Sequence, residues 1–156
     1  MAIAATIDNT DLKILRELQA DGRIAWVELA ERVALSASAC QRRVQSLIER
    51  GVIESISAQI NPEALGFEVQ AFVSVHVDRQ DVARARKFRN LIGKCPEVIA
   101  CHMLTGEVDY LLLVVAKDLR SFGRFVEEKI LGMPGVKDAS SSIVLDRIKL
   151  SASLLG

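Results

Sequence analysis

The chain has 156 residues, enough for one domain or two small ones, and half of them are hydrophobic, so a core can be buried. Lys and Arg together number 20, as do Asp and Glu, so the net charge is zero and gives no argument for a nucleic-acid partner. Only a local concentration of charge could provide that argument. The three cysteines lack disulfide spacing, and no signal peptide or long apolar stretch is recognisable, so we expect a cytoplasmic protein.

A group of potential metal ligands comprises Cys95, Cys101 and His102, with His76 upstream. No CxxC or HxxxH pair is among them, and Cys and His are common packing residues in apolar strands. We therefore expect no metal and no cofactor.

The first sixty residues carry helical patterns. Leucines at helical spacing follow Asp8, and Asp8 and Asp11 can cap the first turn of a helix that ends at Asp21-Gly22. A second short helix is predicted from Ala25 to Val33.

A third helix follows a turn, with Ser36 as its cap and Gly51 as a left-handed terminator. Its apolar stripe comprises Cys40, Val44, Leu47 and Ile48. Three short helices with a tight turn between the last two predict a helix-turn-helix. The alternating stretch 52–60 is predicted to be a strand, or wing.

The opposite face of the third helix is polar, with Ser38, Gln41, Arg42, Gln45 and Glu49. Arg can form paired hydrogen bonds with guanine, and Gln with adenine, in a major groove. A solvated helix face is the alternative and is the default for a lone helix, but the helix-turn-helix context favours base reading. We expect base contacts from four residues of this face and phosphate contacts from two arginines off its centre. The predicted DNA-binding residues are Ser36, Ser38, Gln41, Arg42, Arg43, Gln45 and Arg50.

The runs IDNTDLKILRELQADGRI, VELAERVALSASACQRRVQSLIERGVI and INPEALG resemble, in order and spacing, the winged helix-turn-helix half of the Lrp/AsnC family of bacterial and archaeal regulators. The resemblance covers Ile7–Gly66 and departs from the family at two points. Ala25 stands where the family usually has a Ser or Thr cap, a loss of about 1 kcal/mol. Ala37-Ser38-Ala39 replaces a Pro-Thr-Pro-like opening of the recognition helix.

Asn61-Pro62 marks a linker, because proline lacks an amide donor and keeps the preceding residue extended. The patterns that follow predict a strand over 67–77, a helix over 82–92, strands over 98–104 and 108–116, a helix over 119–131 and a strand over 139–148. This βαββαβ order predicts a ferredoxin-like sheet with both helices on one face, and an α+β chain overall. The predicted domains are residues 1–60 and 67–156, joined by a linker at 61–66.

The second domain repeats a pattern. Pro96-Glu97-Val98 and Pro134-Gly135-Val136 each stand between a helix and a strand, at an offset of 38 residues (134 − 96). We interpret this as a duplicated βαβ unit, although any two βαβ units have similar patterns.

The segment between the two middle strands holds a glycine and two carboxylates, Glu107 and Asp109, beside apolar strands. A hairpin turn explains Gly106 but not Asp109, because aspartate is disfavoured in strands. The segment resembles the GD-aromatic-DY signature of the family's ligand-binding RAM domain (regulation of amino acid metabolism), with Glu107 and Val108 as departures.

A free amino acid suits this turn, since its ammonium needs an acceptor such as Asp109 and its carboxylate needs amides or hydroxyls. The hydroxyl pair Ser140 and Ser142 falls where the family often has Thr-x-Thr. The predicted effector-binding residues are Leu104, Thr105, Gly106, Glu107, Asp109, Ser140 and Ser142.

The resemblance implies a cytoplasmic, nucleoid-associated transcription regulator that binds DNA through its first domain and an amino-acid effector through its second. It further implies sheet-to-sheet homodimers that form octamers or similar rings, with effector sites at the contacts between dimers and near-palindromic operators. An effector-independent architectural DNA protein is the alternative. An enzyme using Glu107 and Asp109 as an acid-base pair is disfavoured, because no nucleophile, phosphate loop or metal spacing accompanies them.

Overall fold

A computed structural model describes residues 6–78, 80–149, 154 and 155. It divides into two compact units, one over residues 60–147 and the other over the described residues before and after that range. The expected end of the second domain, Gly156, lies outside the described residues. No helix in the described part of the chain is long and apolar enough to cross a membrane.

The first unit contains the three predicted helices. They are α1 (Asn9–Ala20), α2 (Trp26–Arg32) and α3 (Ala37–Glu49). Helix α1 begins with a capping box, in which the Asp8 carboxylate accepts a hydrogen bond from the Asp11 amide at 2.7 Å and the Asp8 amide donates to the Asp11 carboxylate at 3.4 Å. Ala25, the residue at the N-cap of α2, provides no side-chain cap, as the sequence predicts.

Helix α3 has a defined start and end. Ala34, with φ at 56°, makes the turn after α2, and the Ser36 hydroxyl accepts a hydrogen bond from the Ala39 amide at 3.3 Å. Gly51, with φ at 70°, ends α3, and the amide of Val52 returns to the Leu47 carbonyl at 2.9 Å. This is a Schellman motif, in which a left-handed glycine lets the chain satisfy the last helical carbonyls.

A single apolar cluster holds the three helices together. The buried members are Ile14, Leu29, Ala30, Val33, Cys40, Val44 and Leu47. Because Cys40, Val44 and Leu47 occupy one stripe of α3, the opposite face of that helix is exposed. Ile48, which was expected in the buried stripe, is 41% exposed.

The predicted strand at 52–60 was wrong. Val52 and Ile53 pack against the helical cluster, and residues 54–60 are exposed and form no strand. An extended segment becomes a strand only when a neighbour satisfies its backbone groups, and no described residue pairs with this one.

The second unit has the predicted βαββαβ order. Its elements are β1 (Val69–Val77), α4 (Val82–Ile92), β2 (Val98–Met103), β3 (Tyr110–Ala116), α5 (Leu119–Arg124, continued by a π-helical turn over Phe125–Ile130) and β4 (Val136–Ile143). The strands form one antiparallel sheet in the order β2-β3-β1-β4.

The two faces of this sheet differ. Strand β1 alternates, so that Val73 and its inward neighbours pack with both helices in the core, which includes Phe88 and Ile130. The other face of the sheet, which we call the open face, carries Phe72, 43% exposed, beside half-buried Leu111 and Leu113.

Two strand boundaries differ from the prediction. Strand β4 spans Val136–Ile143 rather than 139–148, because its partner β1 begins at Val69 and offers few backbone groups beyond Ile143. Strand β3 begins at Tyr110, so Val108 and Asp109 lie in the turn before it.

Candidate nucleic-acid interface and ligand site

The outer face of α3 is the first candidate site. Ser38, Gln41, Arg42 and Gln45 are all exposed there, as the helical spacing predicts. The Arg42 side chain has no hydrogen-bond or ion-pair partner among the described residues, so its five N–H donors are available to a ligand. This face is about two helical turns long. Its unpaired guanidinium and the neighbouring amide groups form a set of donors that can read base edges.

Side-chain hydrogen bonds between residues close in sequence are present at both ends of this face. The Ser36 and Ser38 hydroxyl oxygens lie 3.2 Å apart at its start. At its end, Gln45 Nε2 donates to Glu49 Oε1 at 3.0 Å, so the one acid of the face is engaged.

The two arginines expected to bind phosphate have partners within the first unit. Arg43 Nη1 donates to Asp8 Oδ2 at 2.8 Å and to Asp11 Oδ1 at 2.7 Å. Arg50 Nη2 donates to the Thr6 carbonyl at 2.6 Å, and its Nη1 lies 3.9 Å from Asp11 Oδ2. Phosphate contacts by these arginines remain predictions, and they compete with these internal contacts.

The contacts between Arg43 and the two aspartates shift the pKa values of Asp8 and Arg43. The Asp11 amide, followed by the Arg43 guanidinium, lowers the pKa of the Asp8 carboxyl below its ordinary value of 3.8. The carboxylates of Asp11 and then Asp8 raise the pKa of Arg43. On the inner side of α3, burial raises the pKa of the Cys40 thiol, which makes it a neutral packing residue.

The turn between β2 and β3 is the second candidate site. The β1–β3 ladder ends at the Val75–Tyr110 pair, and beyond it Asp109 Oδ2 accepts a hydrogen bond from the Val77 amide at 2.8 Å. Asp109 is only 9% exposed, and its carbonyl accepts from the Leu104 amide at 2.9 Å. The carboxylate therefore has a structural task that the strand pattern did not indicate.

Two clefts adjoin this turn and share Val77, Gly106 and Asp109. One, of about 400 Å³, is charged and is further lined by His76, Asp78, Gln80, Glu107 and Lys137. The other, of about 430 Å³, is more apolar and is further lined by Ala85, Met103, Leu104, Thr105 and Tyr110. Gly106 has a φ of 109°, a backbone conformation that glycine adopts readily and other residues rarely do.

The turn residues expected to bind an effector line these clefts, but the two serines do not. Ser140 pairs with Ser74 and Ser142 with Phe72, which puts both hydroxyls on the open face of the sheet. The prediction did not include Lys137, which lies 3.4 Å from Asp78 because β4 runs beside β1. The closeness of Lys137 and Asp78 follows from the ferredoxin-like strand order, in which β4 pairs with β1, and could not be predicted from residue spacing.

Comparison with known proteins agrees with this architecture. Residues 7–54 match the profile of a winged helix-turn-helix DNA-binding family, and residues 70–154 match that of the Lrp/AsnC ligand binding domain.

Relatives that match along nearly the whole chain are transcription regulators. A leucine-responsive regulatory protein of Rhizobium meliloti is 41% identical over 96% of each chain. A proline dehydrogenase transcriptional activator of Rhizobium radiobacter is 37% identical over 92% of each chain. A transcriptional regulator of Neisseria meningitidis, solved as a complex with L-Met, superposes with a TM-score of 0.89 at 43% identity over 96% of each chain.

These relatives are regulators rather than enzymes, and their similarity extends through both units of the chain. With its helix-turn-helix and its ligand-binding sheet in the same order, the chain belongs to the Lrp/AsnC family of transcription regulators.

Proposed function

We propose that the protein reads DNA through the outer face of α3, with Arg42 and Gln41 at its centre and Ser38 and Gln45 beside them. The observation that carries this proposal is the exposed Arg42 guanidinium, unpaired among the described residues, on a helix that buries Cys40, Val44 and Leu47 on its opposite side. We assign DNA binding to residues 1–60, the linker to 61–66, and effector binding and assembly to 67–156, in a cytoplasmic protein associated with the nucleoid.

The test is selection from a random duplex library with the full-length protein. Wild type should select a sequence with approximate two-fold symmetry, and Arg42→Ala should lose preference at one position of each half-site. Arg23→Ala is the matched control, because Arg23 is an exposed arginine of the same unit outside α3. An Arg42→Ala variant that selects the wild-type sequence would place the reading face elsewhere.

We infer that the effector is a free L-amino acid bound at the β2–β3 turn. Glu107 and Asp109 give the charged cleft acceptors for an ammonium group, and Lys137 and Thr105 are donors for a carboxylate. Met103, Leu104 and Ala85 make the neighbouring cleft suitable for a small apolar side chain. The L-Met complex of the Neisseria relative makes methionine the first compound to test.

Isothermal calorimetry with a panel of the twenty amino acids tests this assignment on the full-length protein. Saturable heat with an apolar amino acid, reduced in Glu107→Gln, supports it. Absence of heat from the whole panel would contradict it and would favour the effector-independent architectural alternative.

Assembly is proposed to use the open face of the sheet. Phe72 is 43% exposed there beside Leu111 and Leu113, so a copy of the same face would bury apolar surface on both chains. Such dimers would then form octamers or similar rings. Sedimentation should give a single assembly that Phe72→Arg dissociates to smaller species, and an unchanged sedimentation coefficient would rule this interface out.

A further inference from the structure

The recognition helix is joined to the start of the first helix by an arginine. Arg43 Nη1 donates to carboxylate oxygens of both Asp8 and Asp11, at 2.8 and 2.7 Å. These two carboxylates are also the two halves of the capping box that begins α1. One guanidinium therefore connects the middle of α3 to the N-terminus of α1.

The burial of these groups decides what Arg43 can do. The Asp11 side chain is 6% exposed, whereas the side chains of Asp8 and Arg43 are 50% and 38% exposed. Removing Arg43 to reach a phosphate would leave the nearly buried Asp11 carboxylate with the Asp8 amide at 3.4 Å and, as its nearest remaining described cation, Arg50, whose Nη1 is 3.9 Å away. An uncompensated buried carboxylate is costly, so the internal contact outcompetes a solvent-exposed phosphate.

Arg42 and Arg43 are neighbours in sequence and lie about 100° apart around the helix axis. When Arg43 is held against α1, Arg42 must point outward, and rotation of α3 would displace both. Bidentate base contacts tolerate little displacement, because both hydrogen bonds must keep their geometry.

We propose that Asp8, Asp11 and Arg43 form a clamp that positions α3 for base reading, and that Arg43 is a positioning residue rather than a phosphate ligand. This proposal rests on the proposed DNA-reading function of α3. The clamp sets the rotation of the recognition helix through charge-assisted hydrogen bonds, and it acts on specificity through Arg42.

The experiment compares affinities of the full-length protein for the library-selected duplex and for a random-sequence duplex across a series of salt concentrations. The variants are Arg43→Gln, Asp11→Asn, their double mutant, and Asp8→Asn, in which Asn preserves the helix cap. Arg32→Gln is the matched control, because Arg32 pairs with Glu17 and Glu28 at 2.6 Å in the same unit but outside α3.

The clamp predicts that Arg43→Gln and Asp11→Asn each lower the selected-to-random affinity ratio by about fivefold or more. The double mutant should be no worse than either single variant, since both remove the same contact. Asp8→Asn should have a smaller effect, Arg32→Gln none, and the slope of log K against log salt should stay unchanged in all of them.

Other results overturn the proposal. If Arg43 binds phosphate, Arg43→Gln lowers the salt slope by about 1 with both duplexes, and Asp11→Asn strengthens binding by removing an acid. If the ion pairs serve only stability, the melting temperature falls while the affinity ratio stays constant. If Arg43→Gln does not fold, Asp11→Asn and Asp8→Asn decide by the same ratio.

Arg42→Ala in the same assay separates this proposal from the function on which it rests. If Arg42→Ala leaves the ratio intact while the clamp variants lower it, the assignment of Arg42 as a base reader fails, and the clamp acts on specificity through other residues of α3. If Arg42→Ala lowers the ratio and the clamp variants do not, the clamp fails alone.

Discussion

Replacing Asp109 separates its structural task from its predicted effector contact. Asp109 Oδ2 accepts the Val77 amide hydrogen bond at 2.8 Å in a site where both residues are buried. Asp109→Ala removes the acceptor and leaves a buried N–H group unpaired, which costs about 1–3 kcal/mol. Asp109→Asn keeps an oxygen in the same place and removes only the charge, so we expect a smaller loss of stability.

Urea unfolding followed by far-UV circular dichroism measures the difference in stability between the two variants, and hydrogen exchange at the Val77 amide localises it. We expect Asp109→Ala to lose about 1–3 kcal/mol of unfolding free energy and protection at Val77, and Asp109→Asn to retain most of both. Equal stability of the two variants would refute the proposed support of β1 by the Asp109 carboxylate.

Calorimetry then measures how much the charge of Asp109 contributes to effector binding. Asp109→Asn should fold like wild type but lose the heat of amino-acid binding, because a neutral amide is a weaker partner for an ammonium group than a carboxylate. An unchanged titration would show that the charge of Asp109 does not bind the effector. The alanine variant alone cannot give this answer, because it changes the turn as well as the charge.

Two further predictions concern the first unit. Ala25→Ser should add a missing side-chain cap to α2 and raise the unfolding free energy by about 0.5–2 kcal/mol, measured by urea titration with the single tryptophan, Trp26, as reporter; no gain would mean that the α2 start does not limit stability. The pKa of Asp8 is lowered below 3.8 in the folded protein, so the stability it contributes is complete above pH 3.8 and is lost as the pH falls through the lower folded-state value. The advantage of wild type over Asp8→Asn in urea should therefore shrink as the pH falls below 3.8, and a constant advantage would contradict the assigned ionisation.

Local signals in the sequence were sufficient for the helices of the first unit. The cap at Asp8, the cap at Ser36 and the terminator at Gly51 each act within one helical turn, and all three are present in the structure. Helical spacing alone predicted the exposed polar positions of α3, but it wrongly put Ile48, 41% exposed, in the buried stripe.

Features that depend on distant partners were predicted less well. The alternation at 52–60 is that of a strand, but strand formation needs a paired neighbour that the pattern does not specify. Ser140 and Ser142 were correctly expected on the last strand, yet register puts them on the open face, and neither lines either cleft. The internal partners of Arg43 lie more than thirty positions earlier, at a distance that helical spacing does not report.

The central claim is that Arg42 reads a base, and Arg42→Lys tests it most directly. The variant is compared on the selected duplex and on a duplex changed at the guanine of each half-site that Arg42 is expected to contact. Lysine keeps the charge but lacks the planar fork needed for two parallel hydrogen bonds. We predict that discrimination between the two duplexes falls by about 1–3 kcal/mol while affinity for random DNA and the salt slope are unchanged. Full retention of discrimination in Arg42→Lys would contradict the assignment.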